Sequence, residues 1–245
     1  MSTIQIANTP RKLLVIGAHS ADFVWRAAGA IAVTTANGGS ARVVALSYGE
    51  RGESGELWKV PGQTVERVKQ IRHAEATKAA EILGATFECM DLGDYPLRIT
   101  DAVIDRLTAL IVETAPDILL THVDRDPFNP DHPVAYAATE RARILATGAG
   151  VASAFKTVPP AEFLLFEPHQ PELCGFIPNT FLDITAVFEQ KKRAMAAMEA
   201  QVYLHQYYSE RAAHRAHHAR YISGAKNIQY AEAFMRVLPQ VVTAL

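Results

Sequence analysis

Two histidines and an aspartate mark the chemistry this chain could do. His19 and Asp22 stand three positions apart just beyond a short apolar run, and His132 closes the polar loop Asp124-Arg125-Asp126-Pro127-Phe128-Asn129-Pro130-Asp131-His132. Side chains so placed across a turn can converge on one ion. Two imidazoles and one carboxylate leave open positions of the kind used by a catalytic zinc or similar divalent ion. The same residues also suit a surface turn and a solvated loop. Asp131, beside His132, could orient a ligand imidazole through its outer nitrogen. Between these segments lies Gly49-Glu50-Arg51-Gly52-Glu53-Ser54-Gly55-Glu56. Its evenly spaced glutamates could belong to a helix N-terminus, where negative charge is favoured. Its glycines would also let the backbone pass close to a ligand, so that one carboxylate faces the ion as a general base.

The choice between these readings depends on whether the segments share one place in the fold. Leu13-Leu14-Val15-Ile16, closed by Gly17, reads as a strand buried on both faces. Residues 24–36 read as a helix ending at Asn37-Gly38-Gly39, 42–47 as a second strand, and 63–83 as a long amphipathic helix closed by Gly84. Residues 86–90 read as a third strand, 101–114 as a helix and 118–121 as a fourth strand. Such alternation is the pattern of βαβ units with right-handed crossovers. The expected fold is therefore α/β, a Rossmann-like, mostly parallel sheet with helices on both faces. Ligands in such sheets sit outside the carboxyl ends of the strands, and His19, the Gly-rich segment and the 122–132 loop all fall there. From Glu162 the pattern changes to a strand at 163–167, a loop with three prolines and a mostly helical stretch at 183–208. Residues 1–160 are expected to form the metal-binding core, and 161–245 a C-terminal cap and helical segment of the same domain.

With 49% hydrophobic and 20% charged residues among 245, the chain is an ordinary globular protein. A net charge of −2 leaves no positive field for a phosphate backbone, which argues against nucleic acid as a main partner. Cys89 and Cys174 cannot build a disulfide scaffold and fit a reducing compartment. The first ten residues are mostly polar, and the apolar run at 13–18 is too short for a membrane span or a signal-peptide core. The expected setting is the cytoplasm, with no membrane partner. His214, His217 and His218, among Arg211, Arg215 and Arg220, read as a solvated or subunit-facing segment, with a metal or anion cluster as the alternative. A homo-oligomer is expected.

Ala18-His19-Ser20-Ala21-Asp22, Gly49-Glu50-Arg51-Gly52-Glu53, Arg72 with Glu75, and Pro130-Asp131-His132 together resemble the LmbE-like (PIG-L) deacetylase superfamily. The resemblance implies a Rossmann-like zinc fold in which His19, Asp22 and His132 are the metal ligands. It also exposes a departure. The deacetylases carry A-H-P-D-D, whose first aspartate is the general base toward metal-activated water, and this chain has Ala21 there. Asn129 stands where many deacetylases place a further histidine. Neither residue can transfer a proton.

Four longer stretches, 19–26, 49–58, 124–133 and 167–176, resemble a divergent hydratase branch of that superfamily acting in gallate and protocatechuate catabolism. That likeness spans residues 11–237 and implies addition of water across the activated double bond of a small tricarboxylate oxo-acid. Such chemistry needs an electron sink, a base for water and an acid for carbon, and no amide-cleaving base at position 21. By the same resemblance Glu53 and His169 share the proton transfers, with Glu53 expected toward water and His169 toward carbon, the reverse assignment being the alternative. A tricarboxylate calls for arginines, whose planar fork matches a carboxylate. Arg72 is the first expected clamp and Arg125 the second, with Asn129 as a further substrate contact. The rival expectations are an N-deacetylase-type zinc hydrolase that recruits another carboxylate such as Glu53, and a non-catalytic oxo-acid binding protein.

Overall fold

The computed structural model describes residues 10–151 and 157–241. The polar N-terminal stretch up to Thr9 lies outside them. Strand β1 (Lys12–Gly17) is buried from Leu13 onward. Its side chains divide between two cores: Leu13 and Val15 pack with Trp25, Leu83, Met195 and Phe234, while Leu14 and Ile16 pack with Leu107, Leu119 and Phe163. Burial on both faces is what the continuous apolar run requires. Strands β2 (Ser40–Ala45) and β4 (Ile118–Thr121) pair in parallel on either side of β1, in the registers Val15↔Val43 and Val15↔Leu120. β3 (Thr86–Cys89) extends the sheet beyond β2 and β5 (Glu162–Phe166) extends it beyond β4, both parallel.

The helices linking these strands are α1 (Asp22–Arg26), α2 (Ala28–Ala36), α3 (Gly55–Trp58), α4 (Val65–Leu83), α5 (Asp101–Thr114) and α6 (Asp131–Thr147). The Thr64 hydroxyl caps α4 by accepting from the Arg67 N–H at 3.2 Å, and left-handed Gly84 ends it. The single helix expected at 24–36 is instead two, broken at Ala27. The cause is the buried Glu232 carboxylate, which accepts from the N–H groups of Gly29 (2.7 Å) and Ala30 (2.8 Å) and so starts a new helix there. Helix α6 was not expected, and it takes Asp131 and His132 out of the loop and into a first helical turn.

The segment from residue 161 does more than cover the core. It supplies β5 and two antiparallel strands, β6 (Thr180–Asp183) and β7 (Ala231–Arg236), which complete the order β3-β2-β1-β4-β5-β7-β6. It also contributes α7 (Phe188–Ala196) and α8 (Leu204–Ser223), separated by a 3₁₀ helix at Glu199–Gln201. No described helix is long and apolar enough to cross a membrane.

Candidate metal and proton-transfer site

Successive strands run outward from β1 in opposite directions, to β2 and β3 on one side and to β4 and β5 on the other. The crevice at the carboxyl ends of β1 and β4 is therefore a topological switch point. His19 comes from the turn after β1, Asp22 from the start of α1, His122 from just after β4, and His132 from the first turn of α6; all four are buried. His19 Nδ1 lies 3.5 Å from Asp22 Oδ2 and 3.8 Å from Glu53 Oε1, and His132 Nε2 lies 3.7 Å from Asp22 Oδ1. The structure thus brings together the trio expected from sequence, with Glu53 beside it.

Three sets of residues place their ligating atoms within 4.8 Å of one another: His19, Glu53 and His132; Asp22, His122 and His132; and His19, Asp94 and Asp131. The donor chemistry of the first two fits a divalent cation. His19 Nδ1 and His132 Nε2 are buried without a hydrogen-bond partner. Their outer nitrogens are tethered to carboxylates, His19 Nε2 to Asp131 at 3.3 Å and His132 Nδ1 to Asp126 at 2.8 Å. Carboxylate tethers on the outer nitrogens leave the inner lone pairs aimed at the centre, as in metal-ligating imidazoles. Asp131 orients His19 and not its neighbour His132, because consecutive residues of a helix project about 100° apart. It is itself fixed by the N–H groups of Tyr95 (2.9 Å) and Leu97 (2.8 Å).

The electrostatics point the same way. Burial works against charge on His19, but the hydrogen bond to Asp131 and the nearby carboxylates of Asp22 and Glu53 outweigh it and lift its pKa to about 10. Asp22 is held well below the usual carboxylate range, since His122 and the Arg26 guanidinium beside it, with the His19 backbone N–H donating at 2.7 Å, overcome its burial. Burial, reinforced by His122, pushes His132 well below the usual histidine value. His122 stacks on His132, with ring centroids 3.9 Å apart, and its Nε2 lies 2.9 Å from the Ala18 N–H. Carboxylates that favour a proton on His19, beside a neutral His132, make an environment that attracts a cation.

Glu53 reaches the crevice because Gly49 lets the turn fold tightly. Gly49 has φ +69°, and a Cβ there would lie 2.9 Å from the Glu53 Cβ and 3.1 Å from the His19 Cβ. Both Glu53 oxygens accept hydrogen bonds, Oε1 from Asn129 Nδ2 (2.7 Å) and Oε2 from Gln201 Nε2 (3.1 Å). Asn129 therefore meets Glu53. The structure corrects the expectation that Arg72 stands ready as a clamp. Arg72 is fully buried, with Nη1 donating to Glu75 (2.8 Å) and Nη2 to Gln201 Oε1 (2.9 Å). Arg125 is exposed, in the loop that also carries Asp126 and Asn129.

His169 lies half-buried in the loop after β5. Its carbonyl accepts from the Tyr207 hydroxyl and from Arg211 Nη2 (3.0 Å), and the Tyr208 hydroxyl is 3.2 Å from its Nδ1. Burial and the nearby Arg26 charge push His169 down to about 3, so it is a neutral imidazole near pH 7. Arg211 and Arg215 pair with Glu167, so this turn of α8 faces inward, whereas His214 and His217 remain exposed. Gln201, Tyr208, Asp126 and Arg26 were not singled out by the sequence reading. Their types are ordinary, and only the fold shows what each one touches.

Fold and site together define a Rossmann-like α/β protein whose switch-point crevice holds residue groups able to bind a metal ion. The chain belongs to the PIG-L family, whose profile, described as GlcNAc-PI de-N-acetylase, matches residues 14–143. It is 45% identical over 242 residues to a 4-oxalmesaconate hydratase of Pseudomonas putida KT2440, covering 97% of this chain and 94% of that protein. Among solved structures it is similar to GalB, the 4-carboxy-2-hydroxymuconate hydratase of the same organism, with a TM-score of 0.93 and 44% identity over 96% of this chain and 99% of that one. The conserved protein TT1542 of Thermus thermophilus shares the fold, with a TM-score of 0.75 and 22% identity over 95% of this chain and 97% of that one.

Proposed function

We propose that this protein is a metal-dependent hydratase. It would add water to the conjugated double bond of 4-oxalomesaconate (4-carboxy-2-hydroxymuconate) and give 4-carboxy-4-hydroxy-2-oxoadipate in gallate and protocatechuate catabolism. The observation that carries this reading is 45% identity along nearly the whole chain to a hydratase. The site chemistry agrees, because Ala21 sits buried beside Asp22 where the deacetylases of the resembling superfamily carry their base. The partner is a small tricarboxylate oxo-acid and the setting is the cytoplasm.

In this reading His19, Asp22 and His132 hold the ion, and zinc suits two imidazoles and one carboxylate. A bound divalent ion would polarise an oxo-acid oxygen or make water more acidic. Glu53, held at both oxygens, takes a proton from water. His169 supplies the proton to the neighbouring carbon. It is neutral in the free protein, so to act as the acid it must take up a proton as the tricarboxylate binds, a step that the substrate's negative charge favours. Arg125 is the exposed guanidinium of the site loop and meets a substrate carboxylate.

The test is to incubate zinc-loaded protein with the muconate substrate and follow loss of conjugated absorbance, beside an N-acetyl sugar control. Absorbance should fall, with acetate release absent or vestigial. Deacetylation at a rate comparable to hydration, or an unchanged spectrum, would refute the reading.

The proposed ligand set also fixes a proton count. His19, with a pKa of about 10 in the metal-free protein, carries a proton near neutral pH, whereas His132 does not. Zinc uptake at about pH 7.5 should release about one proton, and affinity should weaken about tenfold per unit of falling pH below the His19 pKa. Calorimetry in buffers of different ionisation enthalpy measures this directly. Uptake without proton release would show that zinc displaces no proton from His19.

A further inference from the structure

We infer that Gln201 is a positioning residue for the proton-transfer carboxylate Glu53, held in its orientation by Arg72 and Trp25. The inference rests on the proposed role of Glu53. Gln201 lies in the 3₁₀ helix between α7 and α8, far in sequence from the Gly-rich turn, and is 1% exposed. Its Oε1 accepts from Arg72 Nη2 at 2.9 Å and from Trp25 Nε1 at 3.2 Å. Guanidinium and indole nitrogens can only donate. The amide can therefore be turned only one way, with its NH₂ group toward Glu53 Oε2 at 3.1 Å.

Glu75 locks this arrangement from behind. Its Oε2 accepts from Arg72 Nη1 (2.8 Å) and its Oε1 from the Ala200 N–H (2.8 Å), so one carboxylate holds both the arginine and the backbone next to Gln201. On the other side Asn129 Nδ2 holds Glu53 Oε1 at 2.7 Å. Glu53 is thus pinned between two neutral amides, one from the loop after β4 and one from the α7–α8 connection. Neutral donors orient a carboxylate without neutralising it, which direct contact with Arg72 would do. Interposing Gln201 lets a buried arginine set the geometry of a base while leaving the base able to accept a proton.

Two substitutions separate this role from packing. Gln201→Met keeps the length and removes both polar functions. Gln201→Glu keeps an acceptor for Arg72 and Trp25, but it faces Glu53 with a second carboxylate in place of the amide donor and so changes the charge beside the base as well as its orientation. Each should lower kcat about 10- to 100-fold, the cost of a reacting group displaced by about an ångström. KM should stay within about threefold of wild type, and zinc content should be unchanged in both variants, since Gln201 is outside the proposed ligand set. In a Glu53→Gln background, adding Gln201→Met should change kcat by less than about twofold, because the group being positioned is gone. If the two effects multiply, or if both Gln201 variants turn over at wild-type kcat while Glu53→Gln is slow, the inference is overturned and the role of Glu53 stands. A Glu53→Gln enzyme at full speed would remove the role of Glu53, and the inference with it.

Discussion

Neither His19→Ala nor His132→Ala should retain stoichiometric zinc after dialysis, and both should turn substrate over at the background rate. Each substitution removes one of the two inward, unpartnered imidazole nitrogens, leaving a carboxylate and a single imidazole. The rest of the crevice cannot replace them simply. His122 stacks flat on His132 with its Nε2 against the Ala18 N–H and Asp22, so it would have to turn and give up those contacts to serve as a ligand. Asp126→Asn is the graded control. It leaves the ligands in place but weakens the acceptor on His132 Nδ1, which should lower zinc affinity about 10- to 100-fold. Elemental analysis of the three purified variants reads the result. Full occupancy in both alanine variants would sink the ligand assignment.

The βα alternation was legible because each buried strand announces itself as a short apolar run and each helix as a capped periodic one. β1, α5 and β4 fall where the residue pattern puts them. The expected helix at 24–36 misled because its break is imposed by Glu232, a residue some 200 positions away, and no local signal encodes such a contact. That His19, Asp22 and His132 meet in one crevice could be read for a topological reason: all three follow strands that end at one switch point. Arg72 shows the opposite case. Its side chain suits a carboxylate, and sequence cannot reveal that Glu75 and Gln201 already occupy it. Asp131 was rightly suspected of orienting an imidazole, but the choice of His19 over the adjacent His132 depends on where α6 begins.

Glu53→Gln and His169→Ala should each lower kcat by at least about 10²-fold, the usual loss when a positioned proton-transfer group is removed. Hydration takes one proton from water and delivers one to carbon. The two groups proposed for this enter the crevice on different supports. Glu53 comes from the turn after β2, and its two oxygens are held by Asn129 and Gln201. His169 comes from the loop after β5, gripped by Tyr207, Tyr208 and Arg211 of α8. Glutamine at 53 keeps an oxygen toward His19 but cannot take a proton, so zinc content should survive while turnover falls. His169→Ala leaves every proposed ligand and ligand tether intact, and its zinc content should match wild type. Tyr208→Phe removes only the hydroxyl at His169 Nδ1 and should cost less than His169→Ala, since it loosens the imidazole without deleting it. That order of severity separates an acting imidazole from one that merely fills the cap. If both primary variants turn over near the wild-type rate, the proton-transfer groups lie elsewhere. Glu50 is then the first carboxylate to test, because it is fully buried in the same Gly-rich turn with neither oxygen hydrogen-bonded and burial raises its pKa.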